Sequence, residues 1–470
     1  MDLSCTAQLR LHKTHHVQEA LRALSANTHS PQESQESSWS SHLQLPDVVV
    51  QHGTGPHNVI YADTKGKEIV ISRRAAEAVL RGAHVFVPGV MACSQELHKG
   101  DLVAVSVAME APGSEGYMTR GSIVGPELAA IASLYIGKGR AGFSRQDMFK
   151  QPSGVGVHMT QRVFCLEPCH GLLPGLGMLQ NLPSAVVAHV LQPAPGSCVL
   201  DMCASPGGKS THLAQLMRDQ GRVIALDRTH AKAQQIRNLA AELGLSSVEA
   251  YKMDATTAVQ SSGQARSAGS ESVLARQADT AEALAAKHQE LSDKARVRQE
   301  RKAKARAMHG QAPLQQPDAA SQPVCQGFPP ESFEYILLDG PCSALGLRPR
   351  LAHLTTLSEL RQTARYQRKL LQVAVQLLKP GGYMVYSTCT INPGENEANI
   401  NFVLQRFKDM QLVPQTPHLA GPGLSGYYMH EDGYREDWLL PAQAQLVQRF
   451  DPCSSTDTIG FFIAKLRKSP

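Results

Sequence analysis

Two cysteines in this chain follow apolar runs and stand in compact polar motifs: Cys342 in DGPCS and Cys389 in YSTCT. Asp339 lies three residues before the first, so the two motifs offer two thiols and a carboxylate. A deprotonated thiol is a strong nucleophile near neutral pH, and a neighbouring carboxylate can hold or accept a proton. A third motif, DMCASPGGKS at 201–210, adds a glycine loop and Lys209. Its tail, Gly207-Gly208-Lys209-Ser210, matches a nucleotide-triphosphate loop, but the glycine needed five residues before Gly208 is Cys203. The tail fits a phosphate loop and the head does not.

These motifs need a scaffold that brings them together. SCVLDMC, RVIALD, VEAYKMD, FEYILLD and GYMVYSTC read as strands, and KSTHLAQLM, HAKAQQIRNLAAELG and SELRQTARYQRKLLQVAVQLL as helices. Strands separated by helices predict an α/β, doubly wound, mostly parallel sheet, with ligands at the carboxyl ends of its strands. Every suggestive motif falls at such an end.

The glycine loop sits between a strand and a helix, where small residues let a ligand approach the backbone closely. Asp227 ends RVIALD about twenty residues later, the place for a carboxylate that accepts from both ribose hydroxyls. Asp254 ends AYKMD and supplies a further acid. An adenosine-bearing cofactor suits this set. NAD is disfavoured because the turn lacks Gly-x-Gly-x-x-Gly, whereas S-adenosylmethionine carries no phosphate and does not need the missing glycine. With a methyl donor, the two thiols and Asp339 match one reaction. Cytosine C5 is not nucleophilic in the neutral ring; a thiolate adding to C6 activates it toward a sulfonium methyl. An acid near N3 stabilises the adduct, and a base must then remove the C5 proton.

The front of the chain has a different texture. Residues 1–65 read as a partial α/β region: a strand at TAQLRL, an amphipathic helix marked by Val17, Ala20, Leu21 and Leu24, and a Ser-rich loop. Residues 66–156 read as a small, mostly β module, with a helix RRAAEAVLR capped by Ser72 and ended by Gly82. Strand–helix alternation occupies 157–470, interrupted at 256–326 by a low-complexity stretch with little apolar surface, read as a mobile insertion.

DMCASPGGKS, IALD, DGPCS and YSTCT, in this order, closely resemble the motifs of the NSUN-type RNA cytosine-C5 methyltransferases. AVLRGAHVFVPGV followed by KGDLVAVSV resembles a PUA domain, a small RNA-binding β-barrel. A PUA module ahead of the catalytic domain is similar to the sixth member of that family, which methylates cytosine 72 in the tRNA acceptor stem while the PUA domain holds the CCA end. The resemblance implies a Rossmann-like S-adenosylmethionine-dependent sheet behind a PUA barrel. It makes Cys389 the nucleophile and Cys342 the thiol that helps release product. It puts Asp339 at the cytosine ring beside the methyl donor, with Lys209 near the donor's amino-acid end. Cys203, Ala204, Ser205, Pro206, Gly207, Gly208 and Lys209 line the cofactor, Asp227 its ribose, and Asp254 its adenine. Ser205, Gly340 and Ala344 depart from the family's usual residues without removing a reacting group, and the N-terminal region and the stretch from about 420 to 457 look shortened.

Composition sets the outer limits. The chain has 470 residues, 42% hydrophobic, with a formal charge of +5 and ten cysteines. That is no disulfide scaffold, and the chain shows neither a secretory core at its N-terminus nor an apolar run that would span a bilayer, so a cytoplasmic protein with free thiols is expected. Cys165, Cys169 and His170 lack a second ligand pair, so no metal is expected. Arg73, Arg74, Arg81, Tyr117, Arg120, Lys138 and Arg140 are candidate RNA contacts of the front module, with the KGR run at 138–140 singled out. The alternative reading is a non-catalytic RNA-binding protein that keeps the methyltransferase domain as a scaffold. A DNA methyltransferase fits less well, because that class uses the Pro-Cys cysteine as nucleophile and carries no PUA module.

Overall fold

The structure, a computed structural model, describes residues 6–11, 39–109, 118–125, 133–165, 177–260, 325–454 and 456–470. The chain divides into two compact units, Met1–Val259 with Gly327–Pro470, and Gln260–Gln326. All motifs of the expected site lie in the first.

The main sheet has eight strands: β1 (Cys198–Asp201), β2 (Arg222–Asp227), β3 (Val248–Lys252), β4 (Phe333–Asp339), β5 (Leu378–Thr388), β6 (Met410–Leu412), β7 (Val447–Phe450) and β8 (Phe461–Lys468). Their order is β3-β2-β1-β4-β5-β8-β6, with β7 also pairing with β8. The first five are parallel, and β8 runs antiparallel to β5. Five helices flank them: α1 (Leu182–Leu191), α2 (Gly208–Leu216), α3 (His230–Glu242), α4 (Leu357–Leu377) and α5 (Glu397–Arg406).

The period of two along each strand sends alternate residues to opposite faces. Leu200, Ile224, Leu226, Ile336 and Leu338 pack with Leu370, Leu371 and Ala374 of α4 and Ile400 and Val403 of α5. Val199, Val223, Leu337 and Val385 pack instead with Val186, Val187 and Val190 of α1 and Leu213 and Ala214 of α2. Both faces are therefore covered, which forces ligands to the strand ends. Helix α4 starts at a capping box, Thr356 with Glu359.

The front module is a seven-stranded sheet in the order Val85–Phe86, Val155–Arg162, Ser133–Ala141, Leu102–Ala108, Glu68–Ile71, Val90–Cys93, Ser122–Ile123. Ile69, Ile71, Val79, Val103, Val105, Ile136, Met148 and Val157 form its core. Ser72 Oγ accepts from Ala75 N at the start of the helix Arg73–Val79, as the sequence predicts. From this helix, Glu77 Oε1 accepts from Leu351 N at 3.1 Å, joining the front module to the loop that follows Cys342.

The N-terminal strand expected at TAQLRL is present as Thr6–Leu11. It is a central strand of a four-stranded sheet, between Gly177–Leu179 and Val48–His52, with Trp39–Ser41 at the edge. Leu45, Val48 and Val50 pack onto α1 and Val199, so this sheet shares the core of the main unit. The helix expected around Val17–Leu24 lies outside the described residues. On either side of the front module the chain runs close to itself: Thr54 bridges Cys165, and His57 N donates to Val163 O at 2.7 Å.

The expected insertion at 256–326 starts slightly later than the sequence suggests. Ala255–Thr257 forms a 3-10 turn and Val259 bridges Phe328, so the main unit is continuous to Val259. The body of the insertion, 261–324, lies outside the described residues. No helix among the described residues is long and apolar enough to cross a membrane.

Candidate active site

Parallel register sets the site. Asp339, the last residue of β4, pairs with Ser387 on β5, and Asp201, the last of β1, pairs with Leu337 of β4. Lys209, at the start of α2, reaches across the strand ends, its Nζ 2.7 Å from Asp339 Oδ2. Ser387 Oγ donates to the other carboxylate oxygen at 2.7 Å. Burial pulls the Lys209 ammonium down, but the charge of Asp339 and its hydrogen bond outweigh burial and hold it above the ordinary lysine value. Lys209 is thus a fixed cation at the site.

Cys389 follows β5 directly and Cys342 lies three residues past β4, and their sulfurs are 3.3 Å apart. Both are free thiols. Either sulfur could donate across this contact; with Cys342 as donor, its S–H lowers Cys389 against burial and the charge of Asp339, and the positive charge of Lys209 lowers it further. The same hydrogen bond, with burial, pushes Cys342 well up. With the shared proton on Cys342, Cys389 leans toward thiolate and Cys342 is the thiol of the pair.

A carboxylate that sequence reading missed holds the two cysteine loops together. Glu395 is fully buried and takes hydrogen bonds from Ser343 N (3.0 Å), Ser343 Oγ (2.5 Å), Gln367 Nε2 (3.0 Å) and Asn392 Nδ2 (3.0 Å). Ser343 follows Cys342, and its hydroxyl lies 2.8 Å from that of Thr390, which follows Cys389. Asn396 Nδ2 donates to Thr390 O, and Tyr386 OH donates to Glu395 O. Gly346 N donates to Cys389 O at 3.0 Å, a further tie between the loops. The signal in the sequence was the run NPGENEAN directly after YSTCT, too polar for the start of a helix that is wholly buried.

The glycine loop is tied to β2. Ala204 N donates to Leu226 O at 2.9 Å, and Ser205 N donates to Asp227 Oδ2 at 3.2 Å. Asp227 is buried at the strand end, with Arg228 N donating to Oδ1 and Lys232 Nζ 3.3 Å away. Gly207 has φ +109° beside Ile236 of α3, a backbone setting that favours glycine, so the loop turns sharply into α2. Pro206 and Gly208 complete the turn. Cys203 stays protonated, raised by burial and then by the charges of Asp201, Asp339 and Asp227. Asp254 caps the 3-10 turn through Thr256 and lies 3.6 Å from Arg228 Nε.

A match to the family description "16S rRNA methyltransferase RsmB/F" covers residues 188–312 and 269–467, and a match to "PUA domain" covers 67–111. An rRNA (cytosine-C(5))-methyltransferase, NOP2C of Arabidopsis thaliana, is 44% identical across 91% of this chain and 78% of its own length. The chain belongs to the RsmB/F, NOP2/NSUN family of RNA cytosine-C5 methyltransferases. The human tRNA (cytosine(72)-C(5))-methyltransferase NSUN6 is 34% identical across 91% of the chain and 80% of that protein. The crystal structure of NSun6 from Pyrococcus horikoshii with SFG aligns with TM-score 0.67 and 25% identity, over 99% of this chain and 91% of that one. The fold is the expected α/β one, a PUA domain ahead of a methyltransferase sheet, and the family's methyl donor is S-adenosylmethionine.

The residues of this RsmB/F-type site fit that donor. Asp201, missed as a site residue although it opens the DMCASPGGKS motif, is buried with Oδ2 taking Ser210 Oγ at 2.7 Å, while Oδ1 has no hydrogen-bond partner. Burial pushes its pKa up to about 7. An acceptor left unused beside a close-approach loop is suited to an amino or hydroxyl donor of a ligand.

Two expectations about the PUA domain change. Lys138 is buried, its ammonium 2.5 Å from Asp63 Oδ2 and 2.8 Å from Ile60 O, so it serves the fold and the KGR run offers only exposed Arg140 as a cation. Arg74, Arg81 and Arg120 are exposed, Arg73 is half-buried, and Tyr117 lies outside the described residues. Cys169 and His170 also lie outside them. The structure does bring one His/Asp group together: Asp47 accepts from His189 Nε2 at 2.8 Å and His212 Nε2 at 2.7 Å. Both carboxylate oxygens are engaged, and Arg10 lies nearby with burial lowering its pKa to about 10, so the group reads as a buried charge network joining the N-terminal sheet to α1 and α2.

Proposed function

We propose that this protein methylates C5 of cytosine 72 in the tRNA acceptor stem through a covalent adduct between Cys389 and C6. The observation that carries the mechanism is the thiol pair, with its sulfurs 3.3 Å apart beside the Lys209–Asp339 ion pair. The Cys389 thiolate forms an S–C6 bond as the C5–C6 π pair moves onto C5 and the N3 side of the ring. Asp339, compensated by Lys209, holds the N3–C4 edge by hydrogen bonding. S-adenosylmethionine, when bound by Cys203–Lys209, Asp201, Asp227 and Asp254, supplies an electrophilic methyl to C5. Once Cys342 has passed its own proton to solvent, its thiolate takes the C5 proton, the C5–C6 double bond re-forms, and Cys389 departs as thiolate.

The tRNA acceptor end and its CCA terminus are favoured as partner by the PUA domain and by the likeness to the human tRNA enzyme. A second reading, a ribosomal-RNA cytosine, is favoured by the 44% identity to the Arabidopsis rRNA enzyme. A cytoplasmic setting is part of the proposal, supported by the eight free cysteines of the described residues.

The test is methyl transfer from labelled S-adenosylmethionine to purified tRNA and, separately, rRNA, with wild type, Cys389→Ala and Cys342→Ala run on a denaturing gel. Label on tRNA cytosine C5 with wild type, none with Cys389→Ala, and a covalent protein–RNA band with Cys342→Ala are expected. Label on rRNA alone supports the second reading. Transfer that persists in Cys389→Ala overturns the assignment of the nucleophile, and binding without transfer or adduct points to the scaffold.

A further inference from the structure

Seven large apolar side chains are exposed within one part of the methyltransferase domain: Leu354, Leu357, Tyr427, Tyr428, Met429, Tyr434 and Leu440. Four of them belong to or border a two-stranded hairpin, Tyr427–Met429 with Arg435–Asp437, which lies against α4. Between hairpin and helix is a cavity of about 160 Å³, lined by Leu357, Arg361, Arg365, Arg368, His430 and Tyr434 among others. Its wall also includes Asn392 and Gly394, from the loop that follows Cys389. Asn392 in turn binds Glu395, the carboxylate that fixes both cysteine loops. The cavity is thus linked to the cysteine loops through Asn392 and Glu395.

The lining has the chemistry of a base platform. The Arg361 guanidinium, fixed by Asp432, lies 4.7 Å from the centre of the Tyr434 ring, and Tyr434 is tilted against His430 at 5.5 Å. Tyr428 closes the cluster edge-on to His430 at 4.8 Å. Tyr434 remains 40% exposed, so it offers open ring surface. His430 Nε2 is buried without a hydrogen-bond partner, the Glu436 carboxylate being 3.8 Å away. Arg365 is exposed and, among the described residues, has neither hydrogen bond nor ion pair. Flat aromatic surface and an uncommitted guanidinium together suit one unstacked nucleotide: a base to stack and a phosphate to pair.

We propose that this cleft holds an unpaired nucleotide of the substrate RNA, adjacent in the strand to the cytosine under attack. The proposal rests on the RNA-methyltransferase reading above. A cytosine whose C6 must meet a thiolate has to leave its stack, and its neighbour then loses a stacking partner. The hairpin supplies a replacement beside the loop that follows Cys389. Asp432 pairs with Arg361 and Asp437 with Arg435, whereas Arg365 of the cavity lining is left to pair with phosphate.

The test measures binding of a fluorescent single-stranded oligoribonucleotide, and of the same sequence as a duplex, to the full chain by anisotropy. Wild type is compared with Tyr434→Ala, Tyr434→Trp and Arg365→Ala, all at exposed positions. Tyr434→Ala should raise the single-strand Kd by roughly tenfold, the effect of losing one base–aromatic stack, while Tyr434→Trp restores it. Arg365→Ala should weaken binding by several-fold and flatten its salt dependence. The duplex should show neither effect. Equal single-strand Kd values for wild type and both alanine variants would overturn the platform. Platform-dependent binding without methyl transfer by wild type would leave it standing and sink the enzymatic reading instead.

Discussion

Replacing Glu395 by glutamine tests whether the two cysteine loops are held by one buried carboxylate. The change keeps size and shape but converts one acceptor oxygen into a donor. If the new amide NH2 took the Oε2 place, it would face Ser343 N–H and Gln367 Nε2, neither of which can accept. At the Oε1 place it would face Ser343 Oγ, which can rotate to accept, and Asn392 Nδ2, which cannot without flipping. The second arrangement costs less: one charged-acceptor bond is lost outright and the others weaken to neutral ones. At roughly 1.5–3 kcal/mol for a hydrogen bond to a charged group, the destabilisation should be about 3 kcal/mol. Thermal unfolding should drop by about 3 °C. The larger effect should be kinetic, because Ser343 and Thr390 adjoin the two thiols. A misplacement of about 1 Å costs on the order of a hundredfold in rate, so kcat should fall to that extent with KM for RNA little changed. The assay pairs calorimetry with methyl transfer under saturating RNA. Unfolding within about 1 °C of wild type and kcat within about twofold would refute the idea that Glu395 sets the thiol geometry.

Further outcomes follow from the same site. The acid limb of the pH–rate profile reports Cys389, whose thiolate is favoured by donation from Cys342 and by Lys209; Lys209→Met should shift that limb to higher pH, as read from kcat/KM between about pH 6 and 9. Asp201 has a pKa raised to about 7 by burial, so the folded state binds its proton more tightly than the unfolded chain. Stability should therefore fall as pH rises from about 4 to 7, and Asp201→Asn should remove that decline and gain stability at pH 8, as followed by denaturant unfolding of the ligand-free protein. Asp47→Asn should destabilise by about 3–5 kcal/mol in the same assay, because it leaves the Arg10, His189 and His212 cluster without its anion.

The parallel sheet was legible because its strands are continuous apolar runs ending in acids, and the clustering of Lys209, Asp339, Cys342 and Cys389 followed from where those runs stop. What was not legible is non-local or inverted in polarity. Pairing of Thr6–Leu11 with Gly177–Leu179 joins segments more than 160 residues apart and leaves no local signal. Glu395, Asn396, Glu397 and Asn399 are wholly buried, yet four such residues in a run read as surface, because composition does not report that each has a partner. Lys138, set between glycines on a strand, read as an exposed cation for the same reason, and Asp63 took it inside. Asp254 lies just past β3, where its carboxylate caps a turn, a task the acid-after-strand pattern does not distinguish from ligand binding.

The front sheet leaves and rejoins the rest of the chain side by side, at the Thr54–Cys165 bridge and the His57–Val163 hydrogen bond, and touches the Cys342 loop through Glu77. A domain on one linker swivels about it, whereas one held by two adjacent crossings and a third contact has little freedom left to turn. Whatever the front sheet grips is therefore presented to the sulfurs at a set reach. Under the proposed function the arrangement would work as a caliper, the distance between the grip and Cys389 selecting which residue of a bound strand is presented for reaction. Lengthening either crossing by a few residues would open the caliper and blur that choice without altering a single reacting group.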